Sequence, residues 1–398
     1  MTEIFSGTFT QQESIPDAGI EAAIAVMRSG RLHRYNVAEG ETAETPLLEQ
    51  EFAASIGARH CLAVASGGYA LGCALRAVGV GPGDTVLTNA FTLAPVPGAI
   101  AAVGGTPVFV GVTEDLTIDL DDLLAKADQA RVLLLSHMRG HLCDMDRLMQ
   151  ICDGAGITVI EDCAHTMGAA WRGIPSGRWG AAGCFSTQTY KHINSGEGGL
   201  LVTDDDALAA RAVMLSGSYM LYDRHLAAPD PQVFEDIKYH TPNVSGRMDN
   251  LRAAILRPQL ADLATQAERW NDRYRTVETG LRDTPGLTLC QRPVHETYVG
   301  SSIQFLLLDW EETATAEVLR RCAARGVELK WFGGAEPAGF TSRYDSWRYV
   351  ESERMPDSDA VLAGIVDMRV PLTFSLEDCA LIARIIREET SAVFQAGV

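Results

Sequence analysis

Covalent amine chemistry has few carriers in this chain, because its 398 residues include only four lysines: Lys126, Lys191, Lys238 and Lys330. A neutral lysine amine can add to a carbonyl and form a Schiff base, and removal of water around the group favours that neutral form. Lys126 lies in the acidic amphipathic segment DLDDLLAKADQA, Lys238 in a polar connection, and Lys330 near the end of a short apolar run. Lys191 differs: it follows the strand-like GCFSTQT and precedes the turn-like NSGEGG, which places its amine on a loop beyond a strand. Upstream, ITVIEDCAH ends in Glu161-Asp162, and SGGYALGCAL sets Ser66, Gly67 and Gly68 where a strand gives way to a helix. A carboxylate at a strand end can pair with a protonated pyridine nitrogen, the role assigned to Asp162. Backbone N–H groups opening a helix suit a phosphate. Phosphate cradle, carboxylate and lysine, in that order, are the contacts that pyridoxal 5'-phosphate (PLP) requires. Each also has a plainer alternative, since Asp162 suits a helix cap and Lys191 an ordinary surface position.

The elements that must position these groups follow from the apolar pattern. HCLAVASGG, DTVLTNA, TPVFVGV, RVLLLSHMRG and ITVIEDCAH read as strands, with helical spacing at Tyr69 to Val78 and at Met145 to Ala155 between them. Apolar strands alternating with helices predict a mainly parallel sheet covered on both faces, with its ligands beyond the carboxyl ends of the strands. A long, mostly helical stretch runs from Asp205 to Arg282. The character then changes to short strands (LTLC, SIQFLLLDW, VELKWF) with helices at Thr313 to Ala324 and Leu376 to Val393. This division predicts an N-terminal segment and large α/β domain over 1–282 and a smaller α+β domain over 283–398.

Composition narrows the function classes. A net charge of −19 argues against a nucleic-acid footprint. No apolar run reaches membrane-spanning length, and the N-terminus lacks the order of a signal peptide, so the expected location is cytoplasmic. Nine cysteines without CxxC spacing suit reduced thiols rather than a disulfide framework, and no metal site is expected.

Beyond these local readings, the chain resembles the DegT/DnrJ/EryC1/StrS family of PLP-dependent sugar aminotransferases over nearly its whole length. The resemblance rests on GRLHRY, ASGGYALGCALRAVGVGPGDTVLTNAFT, HMRGHLCDMD, VIEDCAHTMGA, GCFSTQTYKHINSGEGGLLVTDD and GRMDNLRAAILRPQL. It implies the aspartate aminotransferase-like fold (fold type I), with a mainly parallel seven-stranded sheet in the large domain. It further implies that Lys191 holds PLP as a Schiff base and carries the proton, that Phe91 stacks on the ring, and that His165 touches the phenolic oxygen side. Phe91 as core packing and His165 as a core histidine remain the alternatives. Ser186 matches the family's phosphate-binding serine, joining Gly67 and Gly68. The family often has Thr or Ser where Gly68 stands, so one hydroxyl contact is lost.

The resemblance also implies a homodimer with shared active sites. Asn243 is the expected phosphate contact to the neighbouring subunit, with Ser245 as the other register, and Arg247 is a candidate for the donor's carboxylate. By the same resemblance, glutamate or glutamine gives its amine to a keto-sugar, nucleotide-linked, or to a keto-cyclitol, by a ping-pong mechanism. Arg31, Arg34, Tyr35, His192, Trp331 and Arg343 are candidates for the acceptor pocket. A non-sugar acceptor and a catalytically idle sensor of the same fold stay open as alternatives. Related sugar dehydratases replace the lysine with histidine, so a retained Lys191 favours transamination.

Overall fold

In the computed structural model, which describes residues 3–334, 336–338 and 343–397, the apolar runs of the first half become five-residue strands. They are β1 (His60–Val64), β2 (Thr85–Asn89), β3 (Thr106–Val110), β4 (Val132–Ser136) and β5 (Thr158–Asp162). A short hairpin, β6 (Ala170–Trp171) and β7 (Ile174–Pro175), then leads to β8 (Ala182–Ser186) and β9 (Gly199–Thr203). Seven of these form one sheet in the order β1-β9-β8-β5-β4-β2-β3, in which β9 runs antiparallel to both neighbours and the remaining pairs are parallel.

Successive side chains of a strand point to opposite faces, and here both faces are apolar. In β4, Val132 and Leu134 enter one core while Leu133 and Leu135 enter another. β1 divides the same way, with Leu62 and Val64 on one side and Cys61 and Ala63 on the other. Helices cover both faces. α1 (Asp17–Ser29) and α2 (Glu44–Ile56) precede β1; α3 (Gly67–Ala77), α4 (Pro95–Ala102), α5 (Leu120–Ala125) and α6 (Met145–Ala155) are the crossovers. After β9 come α7 (Asp206–Ser216), α8 (Phe234–His240) and the 32-residue α9 (Asn250–Leu281), whose start is capped by the Asp249 carboxylate accepting from the Arg252 N–H.

Beyond α9, β10 (Thr288–Leu289), β12 (Ser302–Leu306), β13 (Lys330–Trp331) and β14 (Ile365–Arg369) make an antiparallel sheet in the order β10-β12-β14-β13. β11 (Glu296–Thr297) instead joins the β6–β7 hairpin. α10 (Glu312–Ala324), α11 (Pro356–Gly364) and α12 (Leu376–Gln395) complete this part. Of the strand expected in VELKWF, only two residues pair. Ile303, Phe305, Val366 and Met368 line one face of this sheet and share a core with Ile382 and Ile386 of α12. Phe5 and Phe9 of the N-terminal segment pack into this second core, edge-on to Phe374. All nine cysteines are buried and outside any disulfide. Among the described residues no helix is long and apolar enough to cross a membrane.

Candidate active site

The parallel strands of the seven-stranded sheet end at one edge, so the segments that follow β1, β2, β4, β5 and β8 converge there. They surround a cavity of about 680 Å³, which the small-domain sheet closes from the opposite side through Ser302, Lys330 and Arg369. Of the residues singled out from sequence, Gly67, Gly68, Asp162, His165, Ser186 and Lys191 all line this cavity.

Lys191 is held by a tight excursion between β8 and β9. Its backbone N–H donates to Gln188 O at 2.8 Å, and the loop is cross-tied by Thr187 N to Gly198 O at 2.9 Å and Ser195 N to Thr187 O at 3.0 Å. The Lys191 Nζ lies 3.2 Å from His165 Nε2. Burial, helped by the field of Arg139, lowers the lysine to about 7 despite the opposing pull of Asp162. An amine there is substantially neutral at physiological pH and therefore nucleophilic. Burial likewise drives His165 well below the ordinary histidine range, so it is a neutral ring that can share a proton with the amine.

Asp162 ends β5 and accepts two hydrogen bonds, from the Ala164 N–H at 3.1 Å and from the Ser136 hydroxyl at 3.1 Å. Thr92 in turn donates to Ser136 Oγ at 2.8 Å, so the carboxylate is aimed by a short hydroxyl relay. Burial raises its pKa above the usual value, only partly offset by Ala164, Lys191 and Ser136. A carboxylate short of positive charge in a buried site is poised to accept a cationic N–H.

The phosphate end is shaped by close approach. α3 opens with Gly67 and Gly68 after Ser66, whose hydroxyl oxygen accepts from the Tyr69 N–H at 3.1 Å. A Cβ on Gly67 would sit 2.8 Å from Ser186 Cβ, so glycine lets the Ser186 hydroxyl and the open N–H groups of α3 face the same point. Gly68 is different, since the nearest atom to a Cβ there is 3.8 Å away. A PLP-sized group fits this donor set: N–H groups and hydroxyls at one end, a carboxylate at the strand end, and an uncharged amine between them.

The other sequence candidates lie outside the cavity lining. Phe91 is fully buried and packs edge-on against Phe332 at 5.1 Å, in a core with Leu306 and Tyr344; the cavity is lined instead by Leu93, Ala94, Pro95 and Val96, which follow it. Tyr35 is buried with its hydroxyl 2.7 Å from His225 Nε2. Arg247 donates to Gly217 O at 2.8 Å and lies over the Tyr219 ring, while Asn243 and Ser245 are exposed. Arg31 and Arg34 pair with Glu41 and Glu49, and Arg343 with Asp345. The Trp331 indole N–H donates to Ala363 O, and His192 contacts the Ser301 hydroxyl at 3.1 Å.

Sequence reading missed Arg139, Gln188, Tyr190, Trp270 and Arg369, all of which line the cavity, and gave Lys330 no role there. The strand-end rule that found Asp162 would have flagged Arg369, the last residue of β14. Arg139 gave no comparable signal. It occupies a left-handed backbone position (φ 56°) after β4 and reaches Asp367 of β14 at 2.8 Å.

A family profile, the DegT/DnrJ/EryC1/StrS aminotransferase family, matches residues 15–387. The chain is 33% identical over 245 residues to the spore coat polysaccharide biosynthesis protein SpsC of Bacillus subtilis (strain 168), a match covering 60% of this chain and 62% of that protein, short of two thirds of its length. It is 35% identical over 283 residues to the dTDP-3-amino-3,4,6-trideoxy-alpha-D-glucose transaminase of Streptomyces venezuelae, covering 68% of each. Among solved structures, it superimposes on S. venezuelae DesV in complex with a ketimine intermediate with a TM-score of 0.77 and 27% identity, over 93% of both chains. With the strand-end lysine, carboxylate and glycine turn gathered in one cavity of a fold type I architecture, the chain belongs to the DegT/DnrJ/EryC1/StrS aminotransferase family.

Proposed function

We propose that the protein is an aminotransferase that moves an amino group from glutamate or glutamine to a keto-sugar or keto-cyclitol in two half-reactions. The observation that carries this reading is the Lys191 amine, lowered to about 7 within 3.2 Å of His165 and in the field of Asp162. Bound PLP supplies an aldehyde for the amine and an electron sink for the bond-breaking step. The residues divide the remaining work. Lys191 would hold the aldehyde and, as a neutral amine, would carry the proton at the reacting carbon. Asp162, aimed by Ser136 and the Ala164 N–H, holds the pyridine N–H. Ser186, the Ser66 hydroxyl and the α3 N–H groups bind the phosphate. His165 touches Lys191 and orients its amine.

We place the active site at a homodimer interface, with Asn243 or Ser245 completing a neighbour's phosphate site and Arg247 available to a carboxylate. Tyr219, Met220, Tyr239 and Val244 are large apolar side chains exposed around these residues, a surface suited to burial against a second copy. The nucleotide-linked keto-sugar is the preferred acceptor, because it matches what the sugar aminotransferase family handles.

The test is the absorption spectrum of purified protein supplied with PLP, before and after L-glutamate or L-glutamine, with Lys191→Ala as control. The lysine-bound cofactor signal should appear in the wild type, convert to the amine form with donor, and be absent in the variant. A wild type that never shows the lysine-bound signal would remove the cofactor assignment, and a signal that neither donor changes would remove the transaminase reading.

A further inference from the structure

We propose that Gln188 is a further binding residue of the cavity: its amide NH2 group donates to an oxygen of the bound ligand, on the cofactor's phosphate or on the amino donor, and its backbone N–H turns the Ser186 hydroxyl to the same use. This rests on the amino-transfer reading of the same site.

Hydrogen-bond polarity fixes what each group of Gln188 can do. The residue lies in the loop between β8 and β9, half-buried and on the cavity wall, three positions before Lys191. The Tyr190 N–H lies 3.0 Å from one branch of its side-chain amide. A backbone N–H only donates, so that branch is the oxygen and the NH2 group takes the other direction. The backbone oxygen of Gln188 is committed as well, since it accepts from the Lys191 N–H at 2.8 Å. Both acceptors of the residue therefore brace the loop, one at Tyr190 and one at Lys191. The NH2 group braces nothing: among the described residues its two N–H donors meet no acceptor. Water can satisfy them while the cavity is open, but a ligand that fills the cavity displaces that water and has to replace its bonds.

Ser186, the last residue of β8, is set by the same rule. It is buried on the cavity wall, and its Oγ accepts from the Gln188 N–H at 3.3 Å. A hydroxyl has one hydrogen and two lone pairs. With a lone pair turned to Gln188, the hydrogen is the part still to be placed, and among the described residues no acceptor takes it. Ser186 thus meets the cavity as a donor rather than an acceptor. A donor hydroxyl and a pair of amide donors, two positions apart on one loop, match a ligand oxygen and disfavour a cation or a second donor. Neither group is charged. They hold an oxygen on the loop of Lys191 without adding to the positive field of Arg139 and Arg369 that, after burial, lowers its amine.

A brace needs the amide oxygen, whereas a ligand contact needs the NH2 group, and two substitutions separate them. At pH 8, Gln188→Glu keeps an oxygen for the Tyr190 N–H and loses the donors; Gln188→Met keeps the length and loses both. Equilibrium dialysis of each protein with PLP, and with pyridoxal as the phosphate-free control, reads binding without turnover. If the oxygen belongs to the phosphate, both variants weaken PLP, Gln188→Met by about 3–10-fold and Gln188→Glu by about 10-fold or more, and pyridoxal binds as to the wild type. If it belongs to the amino donor, PLP binding is unaltered and both variants raise KM for L-glutamate or L-glutamine by similar factors with little change in kcat. Three results overturn the proposal: a loss in Gln188→Met that Gln188→Glu restores, which leaves only the brace; a loss in Gln188→Glu alone, which is charge repulsion; or wild-type binding and KM in both variants. An equal loss for PLP and pyridoxal overturns it too, since that reports a displaced Lys191 loop. Failure of the wild type to bind PLP at all would instead sink the amino-transfer reading, and titration with inorganic phosphate would still report on Ser186 and Gln188.

Discussion

Two groups of charged side chains lie buried in the large domain, and they treat their charges in opposite ways. In the first, Arg34 donates to both oxygens of Glu49 at 2.9 Å, and the Ala63 N–H adds a third bond at 2.8 Å. Arg34 also donates to His225 Nδ1 at 2.9 Å; since a guanidinium only donates, that nitrogen accepts and Nε2–H is directed to the Tyr35 hydroxyl. Burial pushes Glu49 up, but the Arg34 guanidinium opposes it and the carboxyl is held at about 2. Burial likewise takes the Tyr35 hydroxyl up to about 12, so it stays protonated. In the second group, Asp162 is raised and Lys191 lowered, each away from its charged form. Both clusters are buried and both contain an acid facing a base. The difference is that in the first Arg34 and Glu49 pair directly, with both carboxylate oxygens bound, whereas the second lines an open cavity. Direction of the shift, rather than burial, separates a structural ion pair from a working site.

That contrast can be broken experimentally, and the largest effect belongs to the working cluster. Lys191→Ala should reduce turnover by at least about 10⁴-fold while the protein remains folded, as judged by circular dichroism and steady-state rates. In the structural cluster, Glu49→Gln strands the buried Arg34 charge and should cost about 3–5 kcal/mol in urea melts. The wild-type contribution of Glu49 is complete above its ordinary value of 4.5 and is lost as pH falls toward about 2, so acid unfolding of the wild type and of Glu49→Gln should converge there. Asp162→Asn should lower kcat by about 10²–10³-fold with no loss of melting temperature, the reverse of the Glu49 result.

A sharper test of the comparison uses the cofactor-free protein. Lys191 has a lower pKa folded than unfolded, so the fold bears a cost that grows as pH falls from 10.5 and is complete below about 7. Lys191→Met should therefore raise the melting temperature, and by more at pH 6 than at pH 9; an equal gain at both would remove the electrostatic explanation. The smallest effect is expected at the phosphate end. Gly68 has room for a side chain, and Gly68→Ser should tighten PLP retention by about 2–10-fold, the worth of one hydrogen bond, in equilibrium dialysis. Gly67→Ala, by contrast, meets Ser186 and should weaken it.

Cavity residues at strand ends of the large sheet were legible in the sequence because five long apolar runs announce where those ends lie. Lys191, Asp162 and the Gly67-Gly68 turn are of that kind, whereas Ser186 is named only by the family resemblance. Phe91 rests on the family resemblance alone: β2 ends at Asn89, and beyond a strand end the two-residue alternation no longer fixes which side chain faces the cavity. Leu93, Ala94, Pro95 and Val96 line the cavity instead. The opposite wall was illegible for another reason. β13 is two residues long, too short for a pattern, and Arg139 gains its position only through a left-handed turn and an ion pair to residue 367, over two hundred positions away. Tyr35 and Arg34 are candidates for the acceptor pocket by residue type alone, yet both are buried where Glu49 and His225 come from distant segments to meet them.

The burial of the cysteines bears on what the protein can tolerate. All nine thiols are pushed above their ordinary range, chiefly by burial. Thiolates are the soft nucleophiles that would otherwise compete for aldehydes and ketones. Packing thus keeps the sulfur silent while it lowers the Lys191 amine, so selectivity between nucleophiles is settled before any substrate arrives.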